Sequence, residues 1–401
     1  MRELQEIHDW FAPVREMIHL IPCASTLPSP TFTKEGREYV SFSSNNYLCL
    51  ARHPRLIQKA REGLEKYGVA NCESRLLGGD MEVYTDLEEK LARLKHKSSA
   101  MIFATGYLTN LGVLSSLVNT GKLARFFGHT PSRSYTYTYF TDQFNHVSIR
   151  EGIAMSRVPS VKYRHADMND LEQKLKENKA DIPIIVSDGV FSQDGDIVPL
   201  PEMLELAERY DAMIYIDDAH GTGLLGETGC GTTEHFRIES PRIICMGTLS
   251  KAYGAIGGFI ATENTITDLL RFSCSSYGFT STVPPDQACA ISEAIDVVRD
   301  EPHLRHQIWE NQRYFVTGVE ALGYRVMSRE SCIIPVWIGD ELKCESFARS
   351  LERDYRIHVD SIVFPAVSLK QARLRFNMNA GHTRAHLDTV LSALKNFAST
   401  L

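Results

Sequence analysis

The most reactive feature of the sequence is a lysine, Lys251, in the segment TLSKAYGAIGG (residues 248–258), which directly follows the apolar run RIICMGT. A lysine set among Ser, Thr and Gly at a strand end meets a bound ligand without being buried in a core. A desolvated lysine amine loses its proton readily and condenses with carbonyls to a Schiff base, so residue type and place point to a nucleophile. Taken alone, the segment serves a solvated loop lysine equally well. The second feature is IDDAHGTG (216–223), again closing an apolar run. Asp and His three residues apart at a strand end make a metal site, a catalytic pair or a helix cap, and no third ligand with zinc-like spacing lies nearby. Asp217 suits a buried carboxylate paired with a cationic ring nitrogen, and His220 a donor to a phenolic oxygen and a proton shuttle. A third segment, ATGYLTN (104–110), leads from the run SAMIFA into a helical pattern. Small residues at a helix N-terminus leave backbone N–H groups free, a natural seat for phosphate. The fourth, DQFNHVSI (142–149), sets His146 between polar and apolar residues, and alone it reads as a structural histidine.

These residues need a scaffold that brings strand ends together. The runs SAMIFA (99–104), IPIIVSD (182–188), MIYIDDA (213–219), RIICMGT (242–248) and GGFIAT (257–262) are short and rich in β-branched residues. Helix-length amphipathic stretches such as 200–210 separate several of them. Continuous apolar strands alternating with helices define an α/β fold, a mostly parallel sheet covered on both faces. In such sheets ligands sit beyond the carboxyl ends of the strands, where the first three of these segments begin. From about Pro302 short strand patterns (333–338, 373–378) mix with helices, ending on an amphipathic helix at 384–397. The expected plan is an N-terminal arm at 1–45, a large domain at 46–295 and a small C-terminal α+β domain at 296–401. The polar, tyrosine-rich stretch 122–140 fits less easily; its Thr-Tyr alternation predicts an edge hairpin, with a lid or an oligomer contact as the alternative.

Composition narrows the function classes. With 401 residues and a net charge of −7, the chain offers no electrostatic reason to bind nucleic acid or an anionic membrane. It contains no apolar run of the roughly 20 residues that a transmembrane segment needs. The N-terminal MRELQEIHDWF lacks the apolar core of a secretory signal. The 9 cysteines are an odd number in mostly apolar surroundings, the pattern of free thiols in a reducing compartment, so a cytoplasmic location is expected.

Together the segments resemble the α-oxoamine synthase family of fold-type I pyridoxal 5′-phosphate (PLP) enzymes. The matching stretches run in family order: SNNYLCL (44–50), SRLLGGD (74–80), ATGYLTN, FNHVSI, DGVFSQDGDIVPL (188–200), IDDAHGTG, GTLSKAYGAIGG, FTSTVPP (279–285) and ARLRFNMNAGHT (372–383). The resemblance covers nearly the whole chain and implies a large PLP-binding domain and a smaller C-terminal one. It implies Lys251 as the Schiff-base lysine, Asp217 at the pyridine nitrogen, His220 with Ser192 at the ring hydroxyl, and His146 stacked on the ring. It assigns the phosphate to backbone at Gly106 and Tyr107, to Thr248, and to Thr280 or Ser281 of a neighbouring subunit in a homodimer. Arg375, with Asn46 close by, is implied as the grip on the amino-acid carboxylate. The implied reaction is decarboxylative condensation of a small α-amino acid with an acyl thioester, carried on coenzyme A or an acyl carrier protein, giving an α-oxoamine, CO2 and free thiol. Competing expectations are an aminotransferase, which would share Lys251 and Asp217, and a non-catalytic partner subunit, against which the retained Lys251, Asp217, His220 and His146 argue. The sequence departs from the family pattern at Cys49, where Gly is usual, at Tyr84, commonly His, at Ser368, usually Pro, and in the length of 122–140.

Overall fold

The structure is a computed structural model describing residues 1–17, 24–27, 29–126, 128–130 and 132–398. Its centre is a seven-stranded sheet, whose strands we label in chain order. They are β1 (Ser99–Phe103), β2 (Tyr137–Asp142), β3 (Ser160–Tyr163), β4 (Ile182–Asp188), β5 (Met213–Asp217), β6 (Ile243–Thr248) and β7 (Gly258–Thr262). Their order across the sheet is β1-β7-β6-β5-β4-β2-β3. All neighbours are parallel except β7, which runs antiparallel to both β1 and β6. The apolar runs are strands because their alternate residues fill opposite faces. Ile184, Val186 and Tyr215 join one core, against Val113 and Leu114 of the helix Gly106–Leu117. Ile185, Ile214 and Ile216 join the other, against Met203 and Leu206 of the helix Leu200–Arg209.

The C-terminal part forms a four-stranded antiparallel sheet of Arg325–Val326, Ile333–Gly339, Ala372–Asn377 and Asp360–Ile362. The helices His303–Ala321, Glu341–Tyr355 and Arg384–Ala398 accompany it. The N-terminal hairpin, Thr31–Lys34 with Arg37–Ser41, pairs with Ile357–His358, so this early segment is held by the late one. Position 295 lies inside the helix Pro285–Asp300, which packs along Pro54–Tyr67.

The stretch 122–140 is not an edge hairpin. Its first residues end the helix Thr120–Phe126, and its Thr-Tyr alternation opens β2, paired with β4 on one side and β3 on the other. Thr138, Tyr139 and Phe140 are buried. Alternation identified the strand, but both faces of this sheet are covered, so a half-polar pattern did not place it at an edge. At the family departure, Cys49 adopts φ 59° and ψ 25°, the left-handed region where glycine carries no steric cost. Tyr84 is fully buried with the Arg75 guanidinium 5.1 Å from its ring centre, and Ser368 lies exposed between Asp360–Ile362 and Ala372–Asn377.

Candidate active site

The sheet register brings the reactive residues together. Asp188 ends β4 directly opposite Asp217 at the end of β5, and Asp217 in turn lies opposite Met246, two residues before Thr248. Beyond these strand ends is a cavity of about 250 Å³. Of the residues singled out in the sequence, Gly106, Tyr107, His146, Ser192, Asp217, His220, Thr248 and Lys251 line it.

Asp217 is buried, and its Oδ2 accepts a hydrogen bond from Asn110 Nδ2 at 2.6 Å while Oδ1 accepts from the amide of Ala219 at 3.1 Å. Asn110 is fixed in turn by Tyr215, whose hydroxyl donates to its Oδ1 at 2.8 Å, and by Ser148 at 2.9 Å. The neighbouring Asp218 faces away, ion-paired with the buried Lys95 at 2.7 Å and accepting from the Thr232 hydroxyl at 2.5 Å. Two adjacent aspartates therefore have separate tasks: Asp218 anchors the turn, and Asp217 faces the cavity.

Lys251 Nζ lies 2.8 Å from His220 Nε2. Burial pulls the Lys251 amine down to about 8 from its ordinary value near 10.5, although Asp217 and Asp188 oppose the shift. An amine poised there exchanges protons near neutrality. His220 is held well below the ordinary histidine range, first by burial and then by Lys251, so its imidazole is neutral. Burial also raises Asp188, with the Asp217 charge adding to the effect, while the Asp188 carboxylate accepts from the His146 amide at 3.0 Å.

The helix Gly106–Leu117 points its N-terminus at the cavity. Thr105 caps it, taking the Leu108 amide on its hydroxyl at 3.1 Å and the Thr109 amide on its carbonyl at 3.0 Å. The first two amides of the helix, those of Gly106 and Tyr107, are left for an anion. A Cβ at Gly106 would stand 3.1 Å from Thr248 Oγ1 and from Met246 Cε, so glycine is what lets this backbone approach β6. His146, which also lines the cavity, caps the helix Val147–Ser156, with Nδ1 2.7 Å from Ser148 Oγ. An anion seat, a buried carboxylate with a fixed partner and an amine of lowered pKa across about 250 Å³ fit PLP, a phosphate ester with a basic ring nitrogen and an aldehyde.

Arg375 and Asn46 are buried but lie outside the cavity lining. Arg375 bonds Asn377 Oδ1 at 3.4 Å and Asn45 Oδ1 at 3.5 Å, with Asp360 3.9 Å away. Asn46 Nδ2 is buried with no hydrogen-bond partner. Thr280 and Ser281 sit in the loop before the helix Pro285–Asp300 and do not reach the cavity of their own chain. Sequence reasoning missed Tyr47, Asn110, Ser148 and Asp188. The available signal for Asn110 was a lone amide at the fifth position of the apolar helix GYLTNLGVLSSL, one turn beyond its glycine start.

His165 was also missed. Its Nδ1 and Nε2 donate to Asp142 at 3.2 Å and Asp196 at 2.9 Å, and its ring stacks on Phe144 at 4.5 Å. It thereby ties the loop before His146 to the turn that carries Ser192. Burial alone would lower its pKa, but the two carboxylates outweigh it and raise the group to about 10. A pKa raised above its unfolded value near 6.5 stabilises the fold fully below that value, and the contribution is lost as pH rises through about 10. His165→Gln is expected to cost ~1–3 kcal/mol at pH 7. Urea midpoints at pH 7 and 9.5 check this: the difference between wild type and variant narrows at the higher pH.

Residues 37–394 match the family described as aminotransferase class I and II. An 8-amino-7-oxononanoate synthase of Thermoanaerobacter pseudethanolicus is 38% identical over 369 residues, 92% of this chain and 89% of that protein. The 8-amino-7-oxononanoate synthase 1 of Bacillus subtilis is 35% identical, covering 100% of this chain and 96% of the relative. Among solved structures, serine palmitoyltransferase from S. paucimobilis with a bound PLP–myriocin aldimine superposes with a TM-score of 0.88 at 25% identity, over 100% of this chain and 98% of that one. The chain belongs to the class I and II aminotransferase family, with the fold-type I architecture of its PLP enzymes. Within it, this is a PLP-dependent acyltransferase of the α-oxoamine synthase type, which condenses an α-amino acid with an acyl thioester and releases CO2.

Proposed function

We propose that this protein condenses alanine with a seven-carbon dicarboxylic (pimeloyl) thioester, working as a cytoplasmic homodimer. The observation that carries the site assignment is the Lys251 amine, 2.8 Å from His220 in a cavity walled by Asp217. The substrates follow from the skeleton named in the relatives, 8-amino-7-oxononanoate. Its C8 and C9 are alanine without its carboxylate, and C1–C7 are a pimeloyl group joined through its thioester carbon. No helix among the described residues is long and apolar enough to cross a membrane.

When bound, PLP supplies an electron sink for the bonds broken at the amino-acid Cα. The residues of this chain do the rest. Asp217, held by Asn110, keeps a negative charge beside the ring nitrogen, so that nitrogen stays protonated. Lys251 would hold the aldehyde carbon, and an amine with a pKa of about 8 suits the removal and return of the Cα proton. His220, with Ser192 beside it, donates to the ring hydroxyl oxygen. His146, which lines the same cavity, would pack on the ring face. The amides of Gly106 and Tyr107 and the Thr248 hydroxyl hold the phosphate, completed by Thr280 or Ser281 of the second subunit. Arg375 takes the substrate carboxylate in a planar, two-point grip that lysine lacks. Asn46, with its unused Nδ2, assists.

The test is stoichiometric. Alanine and a pimeloyl thioester, presented on coenzyme A or on a carrier protein, release thiol and CO2 in equal amounts. Glycine is slower by about tenfold, the worth of one missing methyl contact. Thiol without CO2 overturns the decarboxylation, and neither product with any amino acid overturns the reaction.

A further inference from the structure

Tyr47, in the segment SNNYLCL, is fully buried, yet its hydroxyl lies 2.7 Å from His220 Nδ1. The other ring nitrogen, Nε2, is the one 2.8 Å from Lys251 Nζ. A neutral imidazole has one N–H and one lone pair, so whatever binds at Nδ1 decides what Nε2 offers to the cavity. The phenol has a single proton and two neighbours to receive it. Asn45 Oδ1 is the longer contact at 3.2 Å, and it already accepts from Asn377 Nδ2 at 3.1 Å and Arg375 Nη2 at 3.5 Å. His220 Nδ1 is closer and, among the described side chains, has Tyr47 as its hydrogen-bond partner. Besides burial, the titratable and charged groups that act on His220 are Lys251, Arg375 and His146, all of which disfavour the imidazolium. Burial also raises the Tyr47 phenol well above its ordinary value, so the proton stays available to donate.

We propose that Tyr47 is a positioning residue for the reaction: by donating to Nδ1 it fixes His220 as the Nε2–H tautomer, which leaves an N–H to offer to the ring oxygen of the bound cofactor. The inference rests on the proposed role of His220 and adds the residue that makes that role possible. Without the phenol, a buried lone pair loses its partner and the imidazole loses the contact that orients it.

The experiment uses the PLP-loaded protein and reads its visible absorption against pH, together with kcat and KM for the amino acid. Tyr47→Phe keeps the ring and is expected to keep the thermal melting profile close to that of wild type. A lost donor at the ring oxygen makes the loaded site hold its proton more tightly, so the midpoint of the absorption change moves upward by roughly half a unit. The kcat falls by about 10- to 100-fold, with a smaller change in KM. His220→Asn moves the midpoint in the same direction, and the double variant matches His220→Asn alone, because Tyr47 acts through His220. Effects that add independently, or an unmoved midpoint in Tyr47→Phe, overturn the inference and leave the His220 role intact. An unmoved midpoint in His220→Asn overturns that role, and the inference with it.

Discussion

Lys251→Ala abolishes turnover, a fall of ~10²–10⁴ or more in thiol release, while the protein stays folded. The size follows from the two tasks the amine performs. In the proposed role it holds the cofactor aldehyde covalently and moves the Cα proton, from a position where burial keeps its pKa at about 8. Among the described residues no other lysine lines the cavity, and Lys95 is spent on Asp218 at 2.7 Å, behind the turn. The fold is spared because the Lys251 side chain reaches from a loop to a single polar partner, His220. Initial rates, thermal melting and borohydride reduction followed by peptide mapping check this together. A covalent adduct on another lysine in wild type, or measurable turnover in the variant, overturns the assignment.

Asp217→Asn retains PLP but loses turnover by about two orders of magnitude or more, since the substitution keeps the shape and removes the charge. The amide oxygen still accepts from Asn110 Nδ2, the contact now made at 2.6 Å, so the side chain keeps its place although the Ala219 amide loses its acceptor. A neutral amide cannot hold the ring nitrogen protonated, and the electrons from Cα then have nowhere to go. Equilibrium dialysis measures the retained cofactor, and CO2 release measures the lost chemistry. Full activity in the variant would shift the role to Asp188, which faces Asp217 across the strand register. Asp218, the other neighbour, is held by Lys95 and Thr232.

The sequence by itself determined five of the seven strands of the central sheet; it read Tyr137–Asp142 as part of an edge hairpin and did not mark Ser160–Tyr163. IPIIVSD became β4 at Ile182–Asp188, and the runs around Lys251, Asp217 and Gly106 closed within a residue or two of their expected ends. Those signals are local: β-branched runs, small residues after them and helix-period stretches between them depend on neighbours a few positions away. Asp217, His220, Lys251 and Gly106 were visible because each stands where such a run stops, whereas His146 came through the family resemblance alone.

What only the tertiary structure decided is everything that depends on which strand lies beside which. Asp188 faces Asp217 because β4 and β5 are parallel neighbours in a particular register. Tyr47 reaches His220 from 173 residues away and Arg375 meets Asn45 across 330, separations over which spacing carries no information. The stretch 122–140 shows the same limit: alternation made Tyr137–Asp142 a strand, and pairing on both sides made it an interior one. Local propensity sets the conformation of a segment, but its partner is set by closing the whole sheet and burying both of its faces, a long-range condition that no short window of residues contains.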